Sequence, residues 1–142
     1  MPQNAILLPV FAQVALTFAV LIIMGLARSL SIRTRRQRLQ DLSLATDKDW
    51  EPPAVQAANN FKNQFEVPVL FYAVTAFALM TRQVDPILFS LACLFVATRI
   101  VHTVIHVGAN QIKARAIVFF AGALVLIAMW ITLGWRLAAA GF

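Results

Sequence analysis

An arginine and two histidines at spacings of three and four are the residues most able to carry chemistry in this chain. Arg99, His102 and His106 lie in the stretch RIVHTVIH, directly after the apolar run ILFSLACLFVAT. In an α-helix these spacings place the three side chains on one face. A guanidinium binds anions, and an imidazole transfers protons near neutral pH or ligates a metal ion. We therefore expect a polar binding or catalytic site on one side of an apolar helix.

A second set of polar residues precedes these, and its members are spaced three, four and three apart: Gln56, Asn59, Asn63 and Glu66. A helix inside a membrane must turn such a face toward protein or a water-filled cavity, because lipid cannot form hydrogen bonds with it. Glu66 and Arg99 should lie at the same depth, roughly 16 Å from the ends of their helices. An unpaired arginine there costs about 2.5–3.5 kcal/mol. We expect an ion pair between Glu66 and Arg99, formed within or between subunits.

The composition indicates a membrane protein. Of the 142 residues 61% are hydrophobic and 13% are charged, whereas soluble domains are about half apolar and about a quarter charged. The apolar runs are long enough to cross a hydrocarbon core of about 30 Å. They predict one transmembrane domain over residues 1–142, with spans at about 5–26, 55–80, 87–108 and 115–137.

The net charge of +6 comes largely from one segment, LARSLSIRTRRQR, which directly follows the first span. Its arginines are Arg28, Arg33, Arg35, Arg36 and Arg38. Such a cluster is typical of a cytoplasmic loop, and it has no interleaved aromatic residues on which bases could stack. We predict that loop 28–53 and the third loop are cytoplasmic, that both termini lie on the opposite side, and that the partner is membrane lipid rather than nucleic acid.

The pattern N-x-x-E-x-P, followed by R-x-x-H-x-x-x-H and a further arginine, resembles the membrane-associated proteins in eicosanoid and glutathione metabolism, MAPEG. The residues that carry it are Asn63, Glu66, Pro68, Arg99, His102, His106 and Arg115. The likeness is greatest to the branch of microsomal glutathione transferase and prostaglandin E synthase. That branch has R-x-x-H-T-x-x-Y with an arginine nine residues after the tyrosine. Here His106 stands in the tyrosine's place, and Arg115 lies at the expected distance.

This resemblance implies an all-α integral membrane protein, a left-handed up-and-down four-helix bundle that assembles as a homotrimer. It also implies that glutathione is the cofactor and binds between neighbouring subunits near the cytoplasmic side. Carried over by position, Arg115 and His106 would be catalytic, with the arginine stabilising the thiolate. The residues implied to bind the cofactor are Arg28, Lys62, Asn63, Glu66, Arg99 and His102.

The leading functional hypothesis is a glutathione-dependent transferase or peroxidase acting on lipophilic small molecules from the bilayer. An alternative is a non-catalytic scaffold, or a protein that binds anionic lipid or thiols and retains the fold, since the tyrosine is replaced. A lesser alternative is a metal site on His102, His106 and Glu66, because histidines four residues apart can chelate one ion. The nearby Arg99 argues against it, and we expect no metal ion at this site.

Overall fold

The computed structural model describes residues 2–36, 40, 42 and 45–141, so Arg38 of the basic cluster lies outside the described residues. Within these ranges the secondary structure is helical, without strands, which confirms the all-α prediction. Short 3₁₀ helices cover Gln3–Ile6 and Asp47–Asp49. The α-helices are α1 (Leu7–Arg35), α2 (Pro52–Asn63), α3 (Val67–Met80), α4 (Pro86–Val107) and α5 (Ile112–Ala139).

Four helical segments of the described chain are long and apolar enough to cross a membrane, and the predicted four-helix architecture is confirmed. They are Gln3–Arg35, Pro52–Met80, Pro86–Val107 and Ile112–Ala139. The chain therefore fits an integral, multi-pass membrane protein. α1 continues through the first arginines of the basic cluster, whose charge near its carboxyl end is favourable for the helix dipole. It ends at Arg36, which has a left-handed φ of 51°.

The second membrane segment is interrupted between α2 and α3, at Gln64–Glu66. Pro68 explains the break, because it has no N–H to donate to the carbonyl of Gln64 and its ring clashes with that carbonyl in a continuous helix. Glu66 leaves helical geometry, with φ −94° and ψ −98°. The prediction of one helical face running from Gln56 to Glu66 is therefore wrong. We call residues 64–66 the α2–α3 break.

α4 packs against α1, α2 and α5, and α3 packs against α5. The apolar core includes a stacked pair of fully buried rings, Phe71 and Phe95, with centroids 4.7 Å apart. α4 and α5 approach closely at Gly122, where an added Cβ would lie 2.6 Å from the Oγ1 of Thr98. This central position of α4 explains how one of its faces can be covered by protein.

The turn between α3 and α4 is closed by side chains from both ends of the chain. The Gln3 amide donates to the Val84 carbonyl and accepts from the Val84 N–H, both at 3.1 Å. Asp85 caps α4 by accepting from the N–H of Leu88 at 2.8 Å, and it also pairs with Arg136 of α5. The hydrogen bond from Arg136 holds the pKa of the Asp85 carboxyl below its ordinary value of 3.8.

We predict that Asp85→Ala lowers the free energy of unfolding by about 1–2 kcal/mol, because both the helix cap and the ion pair are lost. Asp85→Asn keeps a cap acceptor and removes the charge, so we expect a smaller loss. Since the folded pKa is lowered, the charge stabilises above about pH 4, and this contribution disappears as the pH falls through the folded value.

Unfolding of detergent-solubilised protein from pH 7 to pH 3 measures this effect, with Asp47→Asn in the exposed 3₁₀ helix as the control. The difference in free energy of unfolding between wild type and Asp85→Asn should become smaller below about pH 4. A gap that stays constant down to pH 3 would contradict the ion pair.

Candidate functional site

One face of α4 carries buried polar side chains and the opposite face is apolar and exposed. Arg99, His102 and His106 are each only 2% exposed. Ile100 and Val104 on the other side are 45% and 66% exposed. This arrangement suits a helix in lipid, where apolar groups face outward and polar groups need protein around them. The predicted shared face of the arginine and two histidines is confirmed.

Arg99 is held by the end of α2 rather than by an acidic side chain of its own protomer. Its Nη2 donates to the backbone carbonyl of Asn63 at 3.1 Å, and its guanidinium carbon lies 5.8 Å from the ring centroid of Phe119. The last carbonyls of a helix carry partial negative charge, which partly compensates the buried cation.

No direct salt bridge joins Arg99 to Glu66 within the described part of the protomer, so the predicted contact is not formed there, although the Glu66 carboxylate is near enough to act on the charge of Arg99. The α2–α3 break leaves the Glu66 side chain exposed, whereas a continuous helix would have kept it on the face of Asn63. The intersubunit version of the pair stays a prediction.

The two histidines contact each other and the aromatic surface of α5. The His102 ring lies 5.6 Å from the His106 ring and 5.8 Å from the Phe119 ring, measured between centroids. Among the described residues, Nδ1 of both histidines and Nε of Arg99 have no hydrogen-bond partner. Buried polar atoms are nearly always paired in folded proteins. These three nitrogens therefore lack the partner that a buried polar group normally has.

Arg115 lies in the first turn of α5, as the sequence predicted. Its Nη1 donates to the side-chain oxygen of Asn110 at 2.8 Å, and its charge is close enough to act on His106 and His102. Asn110 has a left-handed φ of 47°, a conformation that asparagine tolerates better than most residues. The connection between α4 and α5 thus fixes the position of the arginine beside the histidines.

The remaining predicted site residues lie on other elements. Arg28 is half-buried on α1, with its guanidinium carbon 4.9 Å from the ring centroid of Trp50, an attractive cation–π geometry. Lys62 is exposed in the last turn of α2. The structure therefore groups the α4 face with Asn63 and Arg115, and the Glu66 carboxylate is near enough to act on the charge of Arg99. No hydrogen bond or salt bridge among the described residues joins Arg28 or Lys62 to that group.

The buried face of α2 differs from the predicted one. It consists of Ala54, Ala57 and Asn60, followed by Gln64 in the break, whereas Gln56 and Asn59 are half-buried and line a surface groove. Gln56 and Asn59 therefore do not belong to the buried face of α2, although they line a groove. The small residues Ala54 and Ala57, which allow close helix packing, were the signal for the correct face.

Sequence reasoning also missed a cluster of buried side-chain amides and a hydroxyl. Gln13 of α1 lies against Gln64, and Gln64 lies against Asn60 and Thr103. The available signal was Gln13 itself, because a glutamine within an apolar membrane span requires a polar partner.

The metal alternative receives no support from the geometry. Within the described ranges, no group of three or more His, Cys, Asp or Glu side chains could hold a metal ion. The closest candidates, His102 and His106, have the cationic Arg99 beside them on the same face, and Glu66 is exposed at the α2–α3 break.

An apolar groove of about 430 Å³ lies between α1 and the α2–α3 region. Its lining includes Phe18 from α1 and Phe61, Phe65 and Tyr72 from the second segment. Phe61 and Phe65 flank Lys62, Asn63 and Gln64 in the sequence. The groove therefore brings an apolar surface to the edge of the polar site.

Fold and site together define a class: an integral, multi-pass four-helix membrane protein with a protein-covered polar face in its third span. A sequence profile of the MAPEG family matches residues 6–135, a range that contains every candidate site residue. No curated protein and no solved structure matches the chain. The protein belongs to the MAPEG family.

We predict that Asn110→Ala lowers the free energy of unfolding by about 1 kcal/mol more than Asn110→Gly does. Both variants remove the acceptor for Arg115, but only alanine is strained by the left-handed backbone. Thermal unfolding of the two variants in one detergent measures the difference. Equal midpoints, or a less stable glycine variant, would contradict the role assigned to the backbone of this turn.

Proposed function

We propose that this protein is a membrane-bound, glutathione-dependent transferase or peroxidase that acts on lipophilic electrophiles. Membership of the MAPEG family indicates a glutathione-related function of the transferase or synthase type. The observation that carries the finer proposal is the buried face of Arg99, His102 and His106, with its unpaired nitrogens beside Arg115.

The side chains present fit glutathione, which has two carboxylates, one ammonium group and one thiol. Arg28, Lys62 and Arg115 supply cations for the carboxylates and for the sulfur. Glu66 supplies a carboxylate for the ammonium group, and its side chain is exposed at the α2–α3 break. The unpaired Nδ1 atoms of His102 and His106 add hydrogen-bonding capacity from α4. We assign these residues, with Asn63 and Arg99, to the binding site.

Bound glutathione supplies a thiol whose deprotonated form is the nucleophile. Arg115 favours that form by its own charge and by its place in the first turn of α5, where the helix dipole also favours an anion. A free thiol has a pKa of about 8.5, and each unit of lowering corresponds to about 1.4 kcal/mol. We propose that His106 accepts the thiol proton at Nδ1.

The proposed electrophiles are lipophilic because the approaches to the site are apolar. The groove between α1 and the α2–α3 region is lined almost entirely by hydrocarbon and aromatic groups. A compound dissolved in the bilayer could reach this groove without crossing water. Phe61 and Phe65, which flank Lys62 and Asn63, would then hold the compound near the thiolate.

We also propose a homotrimer whose first and third loops are cytoplasmic. An exposed carboxylate inside a membrane segment needs a protein partner, since lipid cannot solvate it. Glu66 is exposed in the isolated protomer, and a neighbouring subunit would supply the missing cation. The arginines at the end of α1 support the cytoplasmic side for the first loop.

Titration of the purified protein with glutathione, followed by the ultraviolet absorbance of the thiolate, tests the proposed function. We expect wild type to produce thiolate at neutral pH, and Arg115→Ala to reduce that signal at least tenfold while still binding glutathione, since about 1.4 kcal/mol of preference is lost per pKa unit. Asn110→Gly should reduce the signal less, because Arg115 keeps its charge and loses only one hydrogen bond.

Arg82→Asn is the matched control, because Arg82 is an exposed arginine at the opposite turn and its left-handed φ of 57° is compatible with asparagine. Binding by wild type with no thiolate signal would contradict catalysis and favour the non-catalytic thiol-binding alternative. An absence of binding would favour the scaffold.

A second prediction concerns the assembly. If Glu66 pairs with a cation of the neighbouring subunit, Glu66→Gln should lower the temperature at which the trimer dissociates, measured by native mass spectrometry or light scattering in detergent. Glu51→Gln is the control, because it removes only a surface ion pair with Arg35 (2.7 Å) that contributes little. Equal dissociation temperatures for wild type and Glu66→Gln would contradict the intersubunit pair.

A further inference from the structure

One buried side chain at the α2–α3 break connects three helices. Gln64 accepts a hydrogen bond at Oε1 from Nε2 of Gln13 on α1, at 3.0 Å. Its own Nε2 lies 3.3 Å from Oγ1 of Thr103 on α4 and 3.5 Å from Oδ1 of Asn60 on α2. Gln13 and Gln64 are 0% and 1% exposed. The break is thus tied to the bundle through a glutamine rather than through apolar packing alone.

A second tie lies one helical turn away on α4. Arg99 donates to the carbonyl of Asn63, and Thr103, four residues later, contacts the side chain of Gln64. Two successive residues at the end of α2 are therefore held by two successive turns of α4. The N–H groups of Gln64 and Phe65 bond to the carbonyls of Phe61 and Lys62, but Pro68 removes the next helical hydrogen bond, so these side chains contribute to the orientation of the break.

A buried glutamine in a membrane span is costly unless its amide is matched. Gln13 lies in an apolar part of α1, and Gln64 is the partner of its amide nitrogen. An apolar pair of similar volume would pack without that cost. The amide pair therefore indicates that the relative orientation of the two segments matters, because hydrogen bonds are directional and apolar contacts are not.

We propose that Gln64 is a positioning residue that fixes how Lys62 and Glu66 are presented to the ligand, with Gln13 and Thr103 holding it in place. The proposal rests on the proposed function for the identity of the ligand. Gln64 acts through its sequence neighbours, and it has no part in the chemistry of the thiol. Arg115 and His106, which belong to α5 and α4, keep their own supports when Gln64 is changed.

The variant Gln64→Leu removes the amide and keeps a buried side chain of similar size. In ligand-free protein we expect hydrogen–deuterium exchange of residues 62–67 to become several-fold faster, with no change in residues 117–135 of α5. We expect the Kd for glutathione to rise about tenfold, a difference of about 1.4 kcal/mol. The thiolate signal per bound glutathione should stay at the wild-type value. A role in general stability would instead change exchange in both segments.

Gln83→Leu is the matched control, a half-buried glutamine in the α3–α4 turn at the other end of the bundle. Gln13→Met removes one partner of Gln64 and should shift exchange and Kd in the same direction by a smaller amount. If Gln64→Leu does not fold, Gln13→Met alone tests the proposal.

Unchanged exchange at residues 62–67 in both variants would overturn the proposal. So would wild-type affinity in both, or a loss of thiolate signal per bound glutathione. If wild type binds no glutathione, the proposed function fails, whereas the exchange measurement still decides whether Gln64 holds the break.

Discussion

The main constraint on this structure is that one guanidinium and two imidazoles must be kept out of contact with lipid hydrocarbon. Lipid provides no hydrogen bonds, so the face of α4 that carries Arg99, His102 and His106 must be covered by other helices. α1, α2 and α5 provide that cover, and the exposed sides of α1 and α5 are apolar. The central place of α4 in the bundle follows from this requirement.

The α2–α3 break allows the helices that pack over the polar face of α4 to form a binding site as well. A continuous helix would keep all of its backbone groups paired within itself. Because the helix is interrupted before Pro68, Asn63 lies at the carboxyl end of α2, where its carbonyl accepts a hydrogen bond from Arg99, and Glu66 is exposed at the break. The break therefore provides a backbone carbonyl that compensates a buried cation and leaves a carboxylate exposed nearby. The buried pair of Gln13 and Gln64 limits the freedom that such a break introduces.

Periodicity and hydropathy were sufficient to predict the helices, the polar face of α4 and the position of Arg115 in the first turn of α5. They failed where the answer depended on the phase of a helix or on partners far apart in sequence. Both candidate faces of α2 contain polar residues, so spacing alone favoured Gln56 and Asn59 over the buried Asn60. The depth estimate that paired Glu66 with Arg99 assumed an unbroken helix. Pro68 was visible in the family motif, but its effect on the carbonyl of Gln64 is a structural consequence that the motif does not state.

The most direct test of the central claim is a spin-label scan along α4 in lipid bilayers, with single cysteines from Ala97 to Val107 in a Cys93→Ser background. Collision with dissolved oxygen reports contact with lipid. The account predicts helical periodicity, with low oxygen accessibility at 99, 102, 103 and 106 and high accessibility among 100, 101 and 104. The opposite phase, or uniform accessibility along the helix, would contradict a polar face covered by protein.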